Sequence, residues 1–268
     1  MAKKKDPSIT FLNKFGYNVI KLPRVGIEPM DIIGKDEANQ WLGPLRLVWT
    51  STAPEATPIG PKPAVAINGQ QTDALDIGFG MKILANALAA FGATVPSLDM
   101  AYHRARKVQF SYSNVTSTAV ALFDAGNYLT KGTLKTDNPV VKHYFLDQNA
   151  QAFVIIDVLK SDSITVTATD DHGVQVGVDV PAIQGVVGAN VKIGTSGASN
   201  STLTFTGPAP VSFGFIVQEI QRDGDAWSLQ GVEAGPDKAF AAKAGAEGAA
   251  TATAGGILLG SGCRLNLM

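Results

Sequence analysis

From Val108 onward the chain repeatedly alternates apolar and polar residues. Val108, Phe110 and Tyr112 alternate with Gln109, Ser111 and Ser113. Thr116, Thr118, Val120 and Leu122 alternate with Ser117, Ala119, Ala121 and Phe123. Ile164, Val166 and Ala168 are interleaved with threonines, and Val174, Val176, Val178 and Val180 with Gln175, Gly177 and Asp179. Leu203 and Phe205 stand among Thr202, Thr204 and Thr206, and Val211, Phe213, Phe215 and Val217 carry the pattern on. A period of two sends successive side chains to opposite faces, which a helix cannot use and a half-buried strand requires. The run Ala152 to Leu159 is apolar on both faces and predicts a central strand. Asp170-Asp171-His172-Gly173 predicts a hairpin turn, and Arg222-Asp223-Gly224-Asp225 ends the last strand.

Helices are fewer. Ile77, Met81, Leu84, Leu88 and Phe91 form one stripe and predict a helix over 73–92, stopped at Gly92. Asp6, Pro7 and Gly16 frame a second over 6–16. Asn138-Pro139 starts a short helical segment holding Val141, Tyr144 and Phe145. Tyr17–Leu22 reads as a short strand ended by Pro23, Pro29–Ile33 as a second short element, and Leu45–Thr50 as a strand. Residues 53–63 hold four prolines and read as a loop. With 45% hydrophobic residues there is material for a core. The fold class expected is α+β: a twisted, mainly antiparallel sheet with surrounding helices.

The residues of common chemistries are missing. His103, His143 and His172 are widely spaced, and the one cysteine, Cys263, excludes an internal disulfide and a multi-cysteine zinc site. Gly78-Phe79-Gly80 opens like a phosphate loop, but Ile83 takes the third glycine's place and no strand precedes it. No GxSxG elbow is present. The expectation is a protein that is not an enzyme, with no catalytic residue, metal or cofactor. A net charge of −1 gives no pull toward nucleic acid.

The polar faces of the alternating runs are Ser, Thr, Gln and Gly rather than Lys and Glu. Pattern alone admits two readings: the half-buried sheet of a soluble β-rich binding module, which it favours, or membrane hairpins with one face toward lipid. A tilted membrane strand needs about 9–11 residues, and the runs 108–123, 174–193 and 202–218 are long enough. No stretch is long and apolar enough for a transmembrane helix, and the basic start Met1–Asp6 has no apolar core behind it, so the cytoplasm is the expected location. Lys3, Lys4 and Lys5, and again Arg104, Arg106 and Lys107, are basic clusters that suit either solvent or an anionic membrane surface. Residues 239–262 contain nine Ala and six Gly, a composition that buries little and predicts a weakly held tether.

Asp6-Pro7-Ser8-Ile9-Thr10-Phe11-Leu12, followed by Gly16–Arg24 and by Ile27-Glu28-Pro29-Met30-Asp31, resembles the N-terminal signature of the bacterial gasdermins. Tyr144-Phe145-Leu146 and Ala152–Ser161 look like that family's central strand. The resemblance implies a cytoplasmic, latent pore-former of antiphage defence. A caspase-like or trypsin-like protease removes a short C-terminal segment, and the freed protein self-assembles into large homo-oligomeric β-barrel pores among the phospholipids of the cell inner membrane. It further implies a pore-forming domain over 1–243 and an autoinhibitory segment over 244–268. Many relatives carry a palmitoylated cysteine near the N-terminus; residues 1–15 contain none, so no residue here inherits that role.

On this reading the cut falls within 238–256, with Lys238 and Lys243 as the basic candidates, and Ile257, Leu258, Leu259, Leu265 and Leu267 anchor the tail. Lys3, Lys4, Lys5, Arg104, Arg106 and Lys107 are candidate membrane contacts. Val108, Phe110, Val174, Val176, Val178 and Val180 are candidate pore-wall residues within hairpins at 108–123 and 164–218.

Overall fold

The computed structural model describes residues 12, 14–36, 39–93, 98, 100–147 and 149–230. In chain order the first strands are β1 (Asn18–Arg24), β2 (Asp31–Lys35), β3 (Asn39–Pro44), β4 (Trp49–Ser51), β5 (Ile59–Pro63), β6 (Leu75–Asp76) and β7 (Lys107–Ser113). They are followed by β8 (Thr116–Ala119), β9 (Gly132–Leu134), β10 (Gln151–Thr169), β11 (Lys192–Ser196), β12 (Thr202–Asp223) and β13 (Ala226–Gln230). The helices are α1 (Ile77–Ala90), α2 (Leu122–Thr130), α3 (Pro139–Val141), which runs on as a π turn at Lys142–Leu146, and α4 (Val180–Val187).

β10 and β12 pair antiparallel from Ala152↔Ile220 to Thr167↔Thr202 and form a spine. At about 3.3 Å per residue, the 19 residues of β10 reach roughly 60 Å. Three short strands lie end to end along the free side of β10. β2 pairs with residues 151–154, β8 with 157–160 and β7 with 163–169. Three more line β12: β13 against 219–223, β1 against 212–215 and β11 against 202–206. The register of β10 on β12 shifts between Ile155 and Asp157, between Leu159 and Lys160, and between Ser161 and Ser163, beside the joints between those short strands. Bulges bend a strand and increase its twist, so the spine turns where its flanking strands change. β3, β5 and β6 add outer edges to β2, β8 and β7.

The expected class is what folds: a large, mainly antiparallel sheet with helices. The both-face apolar run sits in the middle of β10, where Val154, Ile155, Val158 and Leu159 are fully buried. The short helical segment begins at Asn138, whose side chain accepts from Val140 N at 2.9 Å, and Val141, Tyr144 and Phe145 are buried. α1 buries Met81, Leu84 and Leu88, three residues of the expected stripe, and Phe91 just beyond it. It starts at Ile77 rather than 73 because Leu75 and Asp76 pair with β7.

Other expectations are corrected. β1 does not stop at Pro23 but continues to Arg24 through a register break. Residues 45–50 are not one strand: Leu45–Leu47 form a 3-10 turn, and the strand is Trp49–Ser51, paired with β9. Within 53–63, Ile59–Pro63 is an edge strand on β8, a position where prolines do not break a ladder. The alternation of 108–123 is not one run of strand: β8 ends at Ala119, and α2 takes over from Leu122, burying Ala125, Tyr128 and Leu129 at helical spacing. The valines of 174–180 do not form a strand; an isolated bridge joins Thr169 to Gln175 and α4 begins at Val180. The expected helix over 6–16 and the boundary at 243–244 lie outside the described residues, apart from residues 12 and 14–16.

α1 lies close on the sheet. A Cβ at Gly80 would come within 2.0 Å of Val108 Cγ2, whereas one at Gly78 would meet nothing within 4 Å. Gly80→Ala should therefore lower stability by about 1–3 kcal/mol through overpacking. Gly78→Ala in the same helix should raise it by up to about 1 kcal/mol from helix propensity. Urea unfolding midpoints of the two variants read this opposition directly.

Candidate functional site

Two long connections fold over one end of the spine. Residues 77–106 join β6 to β7 and contain α1; residues 170–201 join β10 to β12 and contain α4 and β11. Together they cover one face of that end. Met81, Leu84, Leu88 and Phe91 from the first connection, and Ile183 and Val187 from the second, share one core. That core also takes Val108 and Phe110 of β7, Ile164, Val166 and Ala168 of β10, and Leu203 and Phe205 of β12.

The opposite face of the same strands is hydroxyl-bearing. Registers place Ser111, Thr165 and Thr204 in one row, Gln109, Thr167 and Thr202 in the next, and Ser113, Ser163 and Thr206 in a third. The hydroxyls of Thr165 and Thr204 are 2.9 Å apart and those of Thr167 and Thr202 3.2 Å apart, while Thr206 donates to Ser163 at 3.5 Å. This end of the sheet is a two-sided slab, apolar beneath the helices and neutral polar on the other side.

The candidates named from sequence fall into place as follows. Val108 and Phe110 are buried on the apolar face. Val174 is 61% exposed, Val176 packs partly against the core, Val178 is buried and Val180 opens α4. Asp179 caps that helix, its carboxylate accepting from Ala182 N at 3.1 Å. Arg104 and Arg106 are exposed, and the fold brings Arg106 and Lys107 beside the 170–173 turn, where Arg106 N donates to Thr169 O and Lys107 Nζ to Asp171 O. That turn forms as expected, with Asp170 Oδ1 accepting from His172 N and Val174 N. Lys3, Lys4, Lys5, Lys238, Lys243, Ile257, Leu258, Leu259, Leu265 and Leu267 lie outside the described residues, as does Cys263. Among the described residues no three His, Cys, Asp or Glu side chains gather as a metal site, and no helix is long and apolar enough to cross a membrane.

Sequence reasoning missed two polar features. Tyr102 lies in the first connection, its side chain buried in the shared core, and among the described residues its hydroxyl has no hydrogen-bond partner. Burial pushes its pKa up. Asp157 sits at a bulge of β10 and accepts from Ser117 Oγ at 2.6 Å and Tyr17 Oη at 2.7 Å, joining β10, β8 and the residue before β1. Desolvation raises the Asp157 pKa against the lowering effect of those hydrogen bonds. Neither had a sequence signal, because each depends on partners brought together by long-range pairing.

Sheet, slab and connections together define a β-rich protein whose largest apolar face is covered by its own helix-bearing loops. The model of the Bacterial Gasdermin Family matches residues 20–230. A gasdermin of Vitiosangium sp. is 38% identical over 255 residues, covering 94% of this chain and 91% of that protein. One from Lysobacter enzymogenes is 34% identical over 238 residues, covering 86% of each. A bacterial gasdermin structure from Bradyrhizobium tropiciagri shares the fold, with a TM-score of 0.63 at 19% identity over 85% of this chain and 91% of that one. The chain belongs to the bacterial gasdermin family, a family of non-enzymatic pore-forming effectors.

Two outcomes follow from the missed groups. An unpaired buried hydroxyl costs about 1–3 kcal/mol, so Tyr102→Phe should raise stability by about that much in urea unfolding. A carboxyl whose folded pKa lies above its unfolded value contributes stability at low pH that is lost as pH rises through the folded value. Asp157→Asn removes that contribution, so as pH rises above the ordinary carboxylate range the variant's stability should fall less steeply than wild type's, measured by unfolding at each pH.

Proposed function

We propose that this chain is a latent pore-former. A caspase-like or trypsin-like protease cuts within 238–256, residues 244–268 leave, and the remaining 1–243 unit assembles as a large homo-oligomer of β-hairpins in the cell inner membrane, killing the cell as part of antiphage defence. The intact chain stays in the cytoplasm.

One observation carries this reading beyond family membership: a strand sequence held in non-strand form. Val174, Val176, Val178 and Val180 keep strict alternation, yet only a bridge at Gln175 and a helix start are found there. α4 itself, VPAIQGVV, is rich in β-branched residues and holds Gly185 in its interior, a poor helix former even though Pro181 suits its first turn. Such a conflict between local preference and adopted structure is the mark of a segment with a second structure to go to.

Lengths fit as well. Two membrane strands of about 9–11 residues and a turn need about 20–25 residues, and each connection, 77–106 or 170–201, supplies more than that. In lipid every backbone group must pair, so the hairpins insert only as a closed or laterally joined assembly. Arg104, Arg106 and Lys107 stand where the first connection runs into β7, suited to anionic headgroups.

The test is a site-specific protease sequence inserted near residue 245. Intact protein should leave dye-loaded liposomes sealed and cut protein should empty them; cut protein that sheds its tail and leaves them sealed removes the mechanism. Val176→Arg should block leakage by the cut protein, since an arginine facing mid-bilayer lipid costs about 2–4 kcal/mol per subunit. Circular dichroism of the uncut variant establishes that it still folds.

A further inference from the structure

We propose that the bulge of β10 at Ile155–Asp157 is a clasped joint between a stationary and a convertible part of the sheet. Opening of its Tyr17–Asp157–Ser117 clasp is a step separate from loss of the C-terminal segment, and it sets how fast the cut protein assembles. This rests on the pore-forming reading and adds to it a second restraint, built into the 1–243 unit.

The ladder is broken on both sides of β10 at this point. Toward β12, Ile155 pairs with Val217 and Asp157 with Ile216, so β10 carries one extra residue. On the other side β2 pairs with β10 up to Val154 and β8 from Asp157 onward. The carbonyls in the gap are taken by the residues flanking those strands: Met30 N donates to Ile155 O at 2.8 Å and Val120 N to Ile156 O at 2.9 Å. Met30 has a φ of 70°, a left-handed backbone that a non-glycine residue keeps only where its surroundings hold it. The Glu28–Asp31 corner does so, with Glu28 N donating to Asp31 Oδ2 at 3.0 Å and Leu45 N to Met30 O at 2.8 Å.

Asp157 closes the joint with its side chain. Oδ1 accepts from Ser117 Oγ and Oδ2 from Tyr17 Oη, so each carboxylate oxygen holds a different segment. Those segments come from opposite flanks of the spine: Ser117 lies in β8, which pairs with β10, and Tyr17 directly precedes β1, which pairs with β12. One carboxylate therefore bridges the spine where its own ladder is interrupted. Tyr17 N also donates to Leu12 O at 3.1 Å, and Leu12 is buried in one cluster with Leu159 and Phe213, so the clasp fixes the segment before β1 as well.

The joint divides the sheet by what each part has to do. The connections 77–106 and 170–201 meet the sheet beyond it, at the ends of β7, β10 and β12. The core around Trp49, Phe145 and Trp227 lies on the other side and takes Ala152 and Val154 of β10. Strands that lengthen into a shared barrel must reach one common tilt with those of neighbouring copies, while the packed base has no need to change. A change of strand direction at one end is absorbed where the ladder is already broken, and a bridge across that break resists it.

The test removes one arm of the clasp at a time in the full chain carrying the protease sequence near residue 245. Tyr17→Phe keeps the ring and deletes the donor; Ser117→Ala deletes the other. Val141→Ala, in the core around Trp49, is the control for lost stability, which urea unfolding of each uncut variant measures. Dye-loaded vesicles of mixed zwitterionic and anionic phospholipid receive protein and excess protease, and gels of the same samples separate the rate of cutting from the rate of leakage. A hydrogen bond to a charged group is strong enough that losing it before the rate-limiting step speeds leakage about tenfold or more. Tyr17→Phe and Ser117→Ala should do so once cut and leave vesicles sealed while intact, and Val141→Ala should leak at the parent's rate. Unchanged rates in both clasp variants, or equal acceleration by Val141→Ala at matched stability, overturn the clasp and leave pore formation standing. Leakage from uncut Tyr17→Phe overturns its separateness from the tail. Absence of leakage from the cut parent overturns the pore-forming reading and this inference with it. Should Tyr17→Phe fail to fold, Ser117→Ala against Val141→Ala decides alone.

Discussion

The pairing of β10 with β12 is the constraint on which the rest of the sheet depends. No other pair of strands in the described residues is as long, and six shorter strands attach to its two outer sides. Because strand side chains point both ways, each apolar stretch along this pair needs its own cover, while a polar face can meet water. The core is accordingly divided. One group lies under α1 and α4, a second around Trp49, Phe145 and Trp227, and smaller ones lie between them. The aromatic contacts of the second group, with Trp49 edge-on to Trp227 at 5.1 Å, tie the β12–β13 hairpin to β4. Bulges in the spine let one strand pair serve these differently oriented layers.

How much of this could be read from residues alone depended on whether the signal was local. The middle of β10 was legible because burial on both faces leaves no polar position in Val154–Ile156 and Val158–Leu159. α1 was legible because its stripe spans four turns. β3 was not, since Asn39–Pro44 lies at an edge with Gln40 and Trp41 exposed and has no buried face to encode. β5 was hidden by its prolines, which an edge tolerates and a central strand does not. α2 was misread because Val120 and Leu122 continue the strand's alternation by one step before Ala125 and Leu129 establish helical spacing. The site divides in the same way. The polar side of the slab was visible as runs of Ser and Thr, whereas its cross-strand hydroxyl pairs and the orphaned Tyr102 hydroxyl arise only when distant strands and loops meet.

The connection 170–201 was misread for a different reason. Its alternation is real, but the structure does not use it: Val174 faces solvent and Val180 enters a helix. Helix propensity does not hold α4 in place. What holds it is the Asp179 cap and the burial of Ile183 and Val187 against the sheet. A layer kept chiefly by tertiary contacts comes away as a unit once those contacts weaken. The buried Tyr102 hydroxyl acts in the same direction, since it lowers the stability of the layer it belongs to. On the proposed reading these local costs have a use. They keep the covered form close in energy to an alternative in which lipid replaces the helices, while the apolar face keeps the protein from dwelling in between, where it would meet water.

On the proposed reading the protein must avoid pairing with its own copies until it is cut, so its sheet edges matter. β5 presents Ile59–Pro63 at one edge, all exposed, with Lys62 between Pro61 and Pro63. Proline offers no N–H, so this edge cannot donate a full ladder in any state of the molecule. β11 is protected differently. Lys192–Ser196 is short and exposed and carries one lysine but no proline, so every backbone donor is retained. The first kind of protection is permanent. The second rests on brevity and a single charge, and it disappears if the segment lengthens. Of these two edges, β11 is therefore the one whose protection is conditional, and it belongs to the same 170–201 connection whose sequence prefers strand.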